Sequence, residues 1–344
     1  MKIRKNNIIL SLCVFALAIL CKYIQFTLFP DKYFYDSKHI LAVMNGTGYT
    51  DKAYTFTANF YNAINIFQLN SIYEWSIFLT TIGTIIIAIL FLFNKKRYSI
   101  KQLLFIFASI ALLDIYVFNL SKEIIQLLIF IIVYLIIKNK KIKNDLTKIA
   151  IISSVFIIES ITFRIYYLIL AALIPICYAA INESKRKNIK SEKIILTTII
   201  AFFAITFVAG YFSPEGLNSI LTARSSVNQV RIASGDKDAN TMIVEIFGQN
   251  DNYLIFCLNY MLDYIRLIFP IELLFKGLKY APFVIYQFYL SYLVIKSISK
   301  YEHDKTLAKS VIIGFISISA IFEPDFGSFI RHQITLYPLL LYLS

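Results

Sequence analysis

Of the 344 residues, 58% are hydrophobic and only 16% are charged, and the mean hydropathy is +0.67. A soluble domain carries roughly 45–50% apolar and about 25% charged residues. The apolar residues here come in blocks long enough to cross hydrocarbon, which takes about 20 helical residues. This excludes a water-soluble globule and predicts an all-α polytopic membrane protein. The net charge of +13 sits in short clusters between those blocks, so it reads as membrane orientation and no nucleic-acid partner is expected. Cys13, Cys21, Cys177 and Cys257 fall inside the apolar blocks, and His39, His303 and His332 are scattered. Neither a disulfide framework nor a metal site is expected, and no cofactor.

In chain order, MKIRKNN is followed by an apolar run from Ile8 to about Phe29. That run is longer than a signal-peptide core and lacks a small-x-small cleavage site, so it predicts an uncleaved first span. Further helices are expected over 73–93, 101–119, 122–137, 148–163, 165–181, 194–212, 280–297, 310–322 and 333–344. The stretch 253–279 is apolar but broken by Asp263, Arg266, Pro270, Glu272, Lys276 and Lys279, which suits a re-entrant segment. No repeat or low-complexity linker divides the chain. The expectation is therefore a single transmembrane domain over 1–344, with about ten spanning helices and outer loops at 30–72 and 213–252.

The N-terminus and the segments 94–101, 138–148, 182–193 and 296–309 hold 21 of the 34 Lys/Arg but only 5 of the 21 acidic residues. By the positive-inside rule these five segments, the N-terminus among them, belong to the cytoplasm. They are short and carry no phosphate-cradling motif. The informative polar residues fall on the opposite side.

Asp36 stands just past the first span, in DKYFYDSKH, where it serves either as a base beside sugar-stacking tyrosines or as part of a solvated loop. At the Ser121-Lys122-Glu123 corner, Ser121 is placed to cap the next helix and Glu123 suits its dipole. Lys122 does not suit that dipole, and would instead accompany an anionic ligand. Arg164 interrupts an apolar stretch, and an arginine at membrane depth normally faces a partner or a wet cavity. Arg224 and Arg231 lie in the long second loop, Arg266 in the re-entrant segment. Finally, EPDFGSFIRHQ packs Glu323, Asp325, Arg331 and His332 into a turn between two helices. Guanidinium forks bind phosphate oxygens bidentately and stay charged. A reaction that expels a lipid-linked pyrophosphate needs such charge without a soluble cofactor, and a base for the attacking hydroxyl is available among Asp36, Glu123, Glu323, Asp325 and His332.

On these features the chain resembles the Wzy-type polymerases of O-antigen and capsular repeat units, including the EpsG-like exopolysaccharide proteins. The likeness is mainly architectural: many helices, small cytoplasmic loops, a large outer loop in the second half and outward arginines. An Arg-x10-Gly pattern described for those proteins has two matches here, Arg224–Gly235 and Arg266–Gly277. The Ser121-Lys122-Glu123 corner and Arg331-His332 also look like family features. The resemblance implies a GT-C-like helical fold and a metal-independent glycosyltransferase. It would join undecaprenyl-pyrophosphate-linked oligosaccharide units on the outer face of the cytoplasmic membrane, with a chain-length regulator and a flippase as further partners. It assigns Arg224, Arg266, Arg331 and Arg164 to the donor pyrophosphate, Arg231 to substrate binding, and His332 or Glu323 to the base. Asp36, Lys122 and Glu123 complete the site.

Two other classes compete. A GT-C transferase adding single sugars from a polyprenyl-phosphate donor would use an acidic residue in the first outer loop, where Asp36 stands. A lipid-oligosaccharide flippase would show internal pseudo-symmetry and a charged central cavity, whereas here the charge gathers at one face. A structural membrane subunit would leave the arginines at 164, 266 and 331 unexplained.

Overall fold

The computed structural model describes residues 5–93, 98–187, 191–233, 241–248, 250 and 252–343. Those residues are helical nearly throughout, with a single isolated bridge between Met242 and Asp325. Among them, six helices are long and apolar enough to cross a membrane: Asn6–Leu28, Ile72–Phe93, Ile100–Val117, Lys193–Phe212, Leu278–Ser299 and His303–Phe322. The chain is a helical membrane protein.

In chain order the first elements are α1 (Lys5–Leu28), α2 (Tyr35–Met44), α3 (Lys52–Ile64), α4 (Ile72–Phe93), α5 (Ile100–Leu112) and α6 (Glu123–Lys138). Next come α7 (Asp145–Thr162), α8 (Tyr167–Lys187), α9 (Ser191–Phe212), α10 (Pro214–Ala233) and α11 (Tyr253–Ile268). The chain ends with α12 (Glu272–Lys276), α13 (Ala281–Ser299), α14 (His303–Phe322), α15 (Phe326–Gln333) and α16 (Tyr337–Leu343).

Several expectations are corrected. Of the roughly ten spanning helices expected, six have spanning length and apolarity among the described residues, and Tyr167–Glu183 is a shorter apolar helix. The helix expected over 333–344 is one 3-10 turn followed by the seven-residue α16. Both stretches expected as outer loops carry helices. Residues 30–72 hold α2 and α3, the latter capped where the Asp51 carboxylate accepts from Tyr54 N–H at 2.7 Å. The 213–252 stretch holds the 20-residue α10, started by Ser213 with Pro214 at its first position. Hydropathy does not reveal α10, since its residues are largely polar. The 253–279 segment breaks after α11 around Pro270, then runs through α12 to Gly277.

The chain divides into two compact units, Met1–Phe130 with Thr162–Arg164, and Ile131–Ile161 with Ile165–Ser344. In the first, α1 packs along α4 and α5. In the second, the almost wholly buried α14 packs against α8, α9, α10, α11, α13 and α16. Ser310, Ser317 and Ser319 are buried along α14, and each hydroxyl donates to the carbonyl four residues earlier. A polar hydroxyl can therefore sit in the core unpenalised.

Candidate functional site

The polar interior of the first unit is built around Lys22. Its ammonium donates to the carbonyl oxygens of Asp114 (2.7 Å) and Phe118 (2.9 Å) and to Oδ1 of Asn119 (2.7 Å), and Oε1 of Gln25 lies at 2.9 Å. Those carbonyls are free because the helix after α5 widens into a π-turn over Leu113–Val117 and then stops. The Asn119 Oδ1 also accepts from Ser76 at 2.8 Å. Tyr61 clamps the other side of the corner: its hydroxyl lies 2.9 Å from the carbonyls of Asn119 and Ser121 and accepts the Ser121 N–H at 3.0 Å. Burial pushes the Tyr61 phenol well above its ordinary value, so it remains a hydrogen-bond donor. Ser121 does not serve as the expected cap, because its hydroxyl turns back to the Val117 carbonyl at 3.0 Å.

The corner so held presents Lys122 and the buried Glu123. Lys122 Nζ lies 3.6 Å from Asp36 Oδ1 and 3.9 Å from the centre of the Tyr54 ring. Tyr54 donates its hydroxyl to the same Asp36 oxygen at 2.6 Å, and its ring meets His39 edge-on at 4.2 Å. The structure thus joins Asp36 and Lys122, and the anion that faces this lysine is the protein's own carboxylate. Arg164 belongs to the same unit. Its guanidinium lies 5.2 Å from the Phe163 ring, which packs at 6.1 Å on Phe56 of α3.

The second unit gathers a larger cluster. Arg224 on α10 is buried, with its guanidinium on Asp263, on Glu245 at 3.3 Å, and on the backbone carbonyls of Ala320 and, at 2.9 Å, Glu323. Burial pulls its pKa down, and Glu245 opposes that shift. Arg266 on α11 grips Glu272 with two parallel bonds of 2.7 and 2.8 Å, and also donates to Asp263 and to the Val244 carbonyl at 2.9 Å each. Asp263 is shared by both arginines. Two guanidiniums face three carboxylates, so the forks expected to meet a pyrophosphate are occupied by protein acceptors here.

The strip 241–245 is held to the turn after α14 by two bonds, Ile243 N–H to the Pro324 carbonyl (2.9 Å) and Phe326 N–H to the Thr241 carbonyl (3.1 Å). Asp325 caps α15, accepting from Ser328 N–H at 2.7 Å and from its hydroxyl at 2.9 Å. That capping aims α15 so that His332 Nδ1 meets Glu323 Oε1 at 2.7 Å. Glu323 is completely buried, and its second oxygen, Oε2, has no hydrogen-bond partner among the described residues. His332 is the more accessible of the two. Arg331 is half-buried on the same helix.

Gly277 ends α12 at φ +140°, a backbone conformation that L side chains rarely adopt, so this glycine of the Arg266-x10-Gly pair is required by the turn. Gly235 and the Arg231 side chain lie outside the described residues.

Sequence reasoning passed over the carboxylates that hold the arginines. Glu245 went unremarked, while Asp263 and Glu272 counted only as interruptions of an apolar run. It also passed over Lys22 and Asp114, although an ionisable residue inside a span is itself a signal. Among the described residues no group of three or more His, Cys, Asp or Glu side chains is placed to hold a metal ion. No protein-family model, curated protein or solved structure matches the chain.

Proposed function

We propose that this protein is a glycosyltransferase of the bacterial cytoplasmic membrane, with its N-terminus in the cytoplasm. In this reading it joins undecaprenyl-pyrophosphate-linked oligosaccharide repeat units on the outer face. The observation that carries the reading is the buried Glu323–His332 pair, whose second carboxylate oxygen has no hydrogen-bond partner among the described residues.

In this reading Nδ1–H donates to Glu323 Oε1 and Nε2 is the proton acceptor. An acceptor sugar hydroxyl gives its proton to Nε2 as its oxygen attacks the anomeric carbon of the donor unit. The bond from that carbon to the pyrophosphate oxygen breaks, and undecaprenyl pyrophosphate leaves with the electron pair. The imidazolium formed is stabilised by Glu323 beside it. Arg331, next to His332 on α15, is the cation assigned to the departing diphosphate. Arg224 and Arg266 hold the wall behind the pair.

Reconstitution of the purified chain with a lipid-linked repeat unit, read as a product ladder, tests this. His332→Gln and Glu323→Gln are each expected to lower the rate about 10²–10⁴-fold while leaving the protein folded. Full-length ladders from both variants would remove the assignment. A transferase adding single sugars from polyprenyl phosphate is the second reading, favoured by the Asp36–Tyr54–Lys122 group. One sugar added, rather than a ladder, would decide for it.

A further inference from the structure

Arg266 uses the two edges of its guanidinium differently. Nη1 donates to the buried Asp263 carboxylate and to the Val244 carbonyl, at 2.9 Å each. Nε and Nη2 together grip the Glu272 carboxylate at 2.7 and 2.8 Å. The first edge therefore fixes the group whatever occupies the second. Glu272 also lies 3.9 Å from Lys276 Nζ, one turn further along α12, and Lys276 is steadied by the Met242 carbonyl at 3.3 Å. Burial pulls the Lys276 pKa down, Glu272 opposes that shift and Arg266 adds to it, as expected of two cations sharing one carboxylate.

A carboxylate set between a guanidinium fork and an ammonium stands where a phosphate group would bind. The Glu272 and Lys276 side chains are 30% and 33% exposed, and ion pairs so open to solvent are weakly held. Asp263 is buried and shared with Arg224, so it stays. Rotation of the Glu272 side chain alone uncovers the Nε–Nη2 edge. The exposed Phe275 and Leu278 flank Gly277, and Leu278 opens the span Leu278–Ser299. The cations thus stand at the end of a spanning helix, the level of lipid headgroups, with apolar side chains beside them.

The proposed reaction has two lipid-linked substrates. One loses its diphosphate, assigned above to Arg331. The acceptor unit keeps its own, and needs a seat that holds it without breaking a bond. We infer that Arg266 and Lys276 are that seat, binding the diphosphate of the acceptor lipid, and that Glu272 fills it until the lipid arrives. Its role rests on the transferase reading, though the binding of a lipid diphosphate does not.

The test uses the full chain in nanodiscs of neutral lipid. Undecaprenyl pyrophosphate and, separately, inorganic pyrophosphate are titrated, and KM and kcat are measured for the lipid-linked acceptor. Glu272→Gln removes the competing charge, and is expected to tighten undecaprenyl pyrophosphate binding about two- to fivefold and lower KM, with kcat little changed. Lys276→Met removes one cation and is expected to weaken binding by a similar factor. Inorganic pyrophosphate, which lacks the chain, should bind at least about tenfold more weakly than the lipid. Each variant's melting temperature checks that it is folded.

Unchanged or weaker lipid binding in folded Glu272→Gln would overturn the seat. So would unweakened binding in folded Lys276→Met, or equal affinity for inorganic pyrophosphate. Binding that tightens in Glu272→Gln and weakens in Lys276→Met, in a chain that performs no sugar transfer, would retain the seat and defeat the transferase reading. Sugar transfer with KM unmoved in both variants would do the reverse.

Discussion

The two units bury positive charge in different ways. In the first, the Lys22 ammonium is solvated by neutral oxygens: two backbone carbonyls and two side-chain amides. In the second, Arg224 and Arg266 are neutralised by Asp263, Glu245 and Glu272. An ammonium is a compact donor that fits a nest of carbonyls wherever a helix stops. A guanidinium is a planar fork that matches carboxylates. The first arrangement fixes a backbone break and so places Lys122 and Glu123. The second fixes side chains from three separated segments and so places the Glu323–His332 turn. Loss of the cation should therefore have different consequences in the two units.

The largest expected effect is at Arg224. Arg224→Met takes away the guanidinium that Glu245 meets and leaves Asp263 with one instead of two, and breaking a buried pair in this way costs about 3–5 kcal/mol. Adding Asp263→Leu to Arg224→Met should return part of that loss, because both charges are then gone. Thermal unfolding in detergent for the two single variants and the double variant measures the coupling. Strictly additive losses would mean that the shared carboxylate is not the connection.

Lys22→Met comes next. It strands carbonyls and takes the nearby cation from the buried Asp114 carboxylate, and is expected to destabilise by about 2–3 kcal/mol, the order of one or two hydrogen bonds to a charged group. Hydrogen exchange at the 118–123 corner should rise more than elsewhere in the first unit. Uniform exchange would show that the ammonium does not hold the break.

The smallest effect belongs to the more open group at Asp36. Tyr54→Phe removes one hydrogen bond to its carboxylate while Lys122 remains, and should cost no more than about 1 kcal/mol. A loss as large as that of Lys22→Met would mean that the Tyr54 hydroxyl, and not Lys122, carries the Asp36 contact.

Much of the fold was legible beforehand because a membrane span is a sum over neighbouring residues. The runs of α1, α4 and α9 are apolar enough to be recognised without any partner. The polar α10 is not, since neither its hydropathy nor its charge marks it, and only the Ser213-Pro214 start announces a helix. Of the candidate site, the turn with Glu323 and His332 was visible as a dense polar segment between two apolar helices. The roles of Arg224 and Arg266 were not, because the same guanidinium serves a phosphate or a carboxylate equally well.

The amino-acid order alone determined that the chain is a helical membrane protein, and which short segments break its apolar runs. Only the tertiary structure decided which charges face one another. Arg224 is 39 residues from Asp263, and its donors to the Glu323 and Ala320 carbonyls reach 99 and 96 residues along the chain. Hydropathy accumulates along contiguous residues and survives any arrangement of the helices. A hydrogen bond near 3 Å depends on where two distant backbones come to rest, and no local pattern records that.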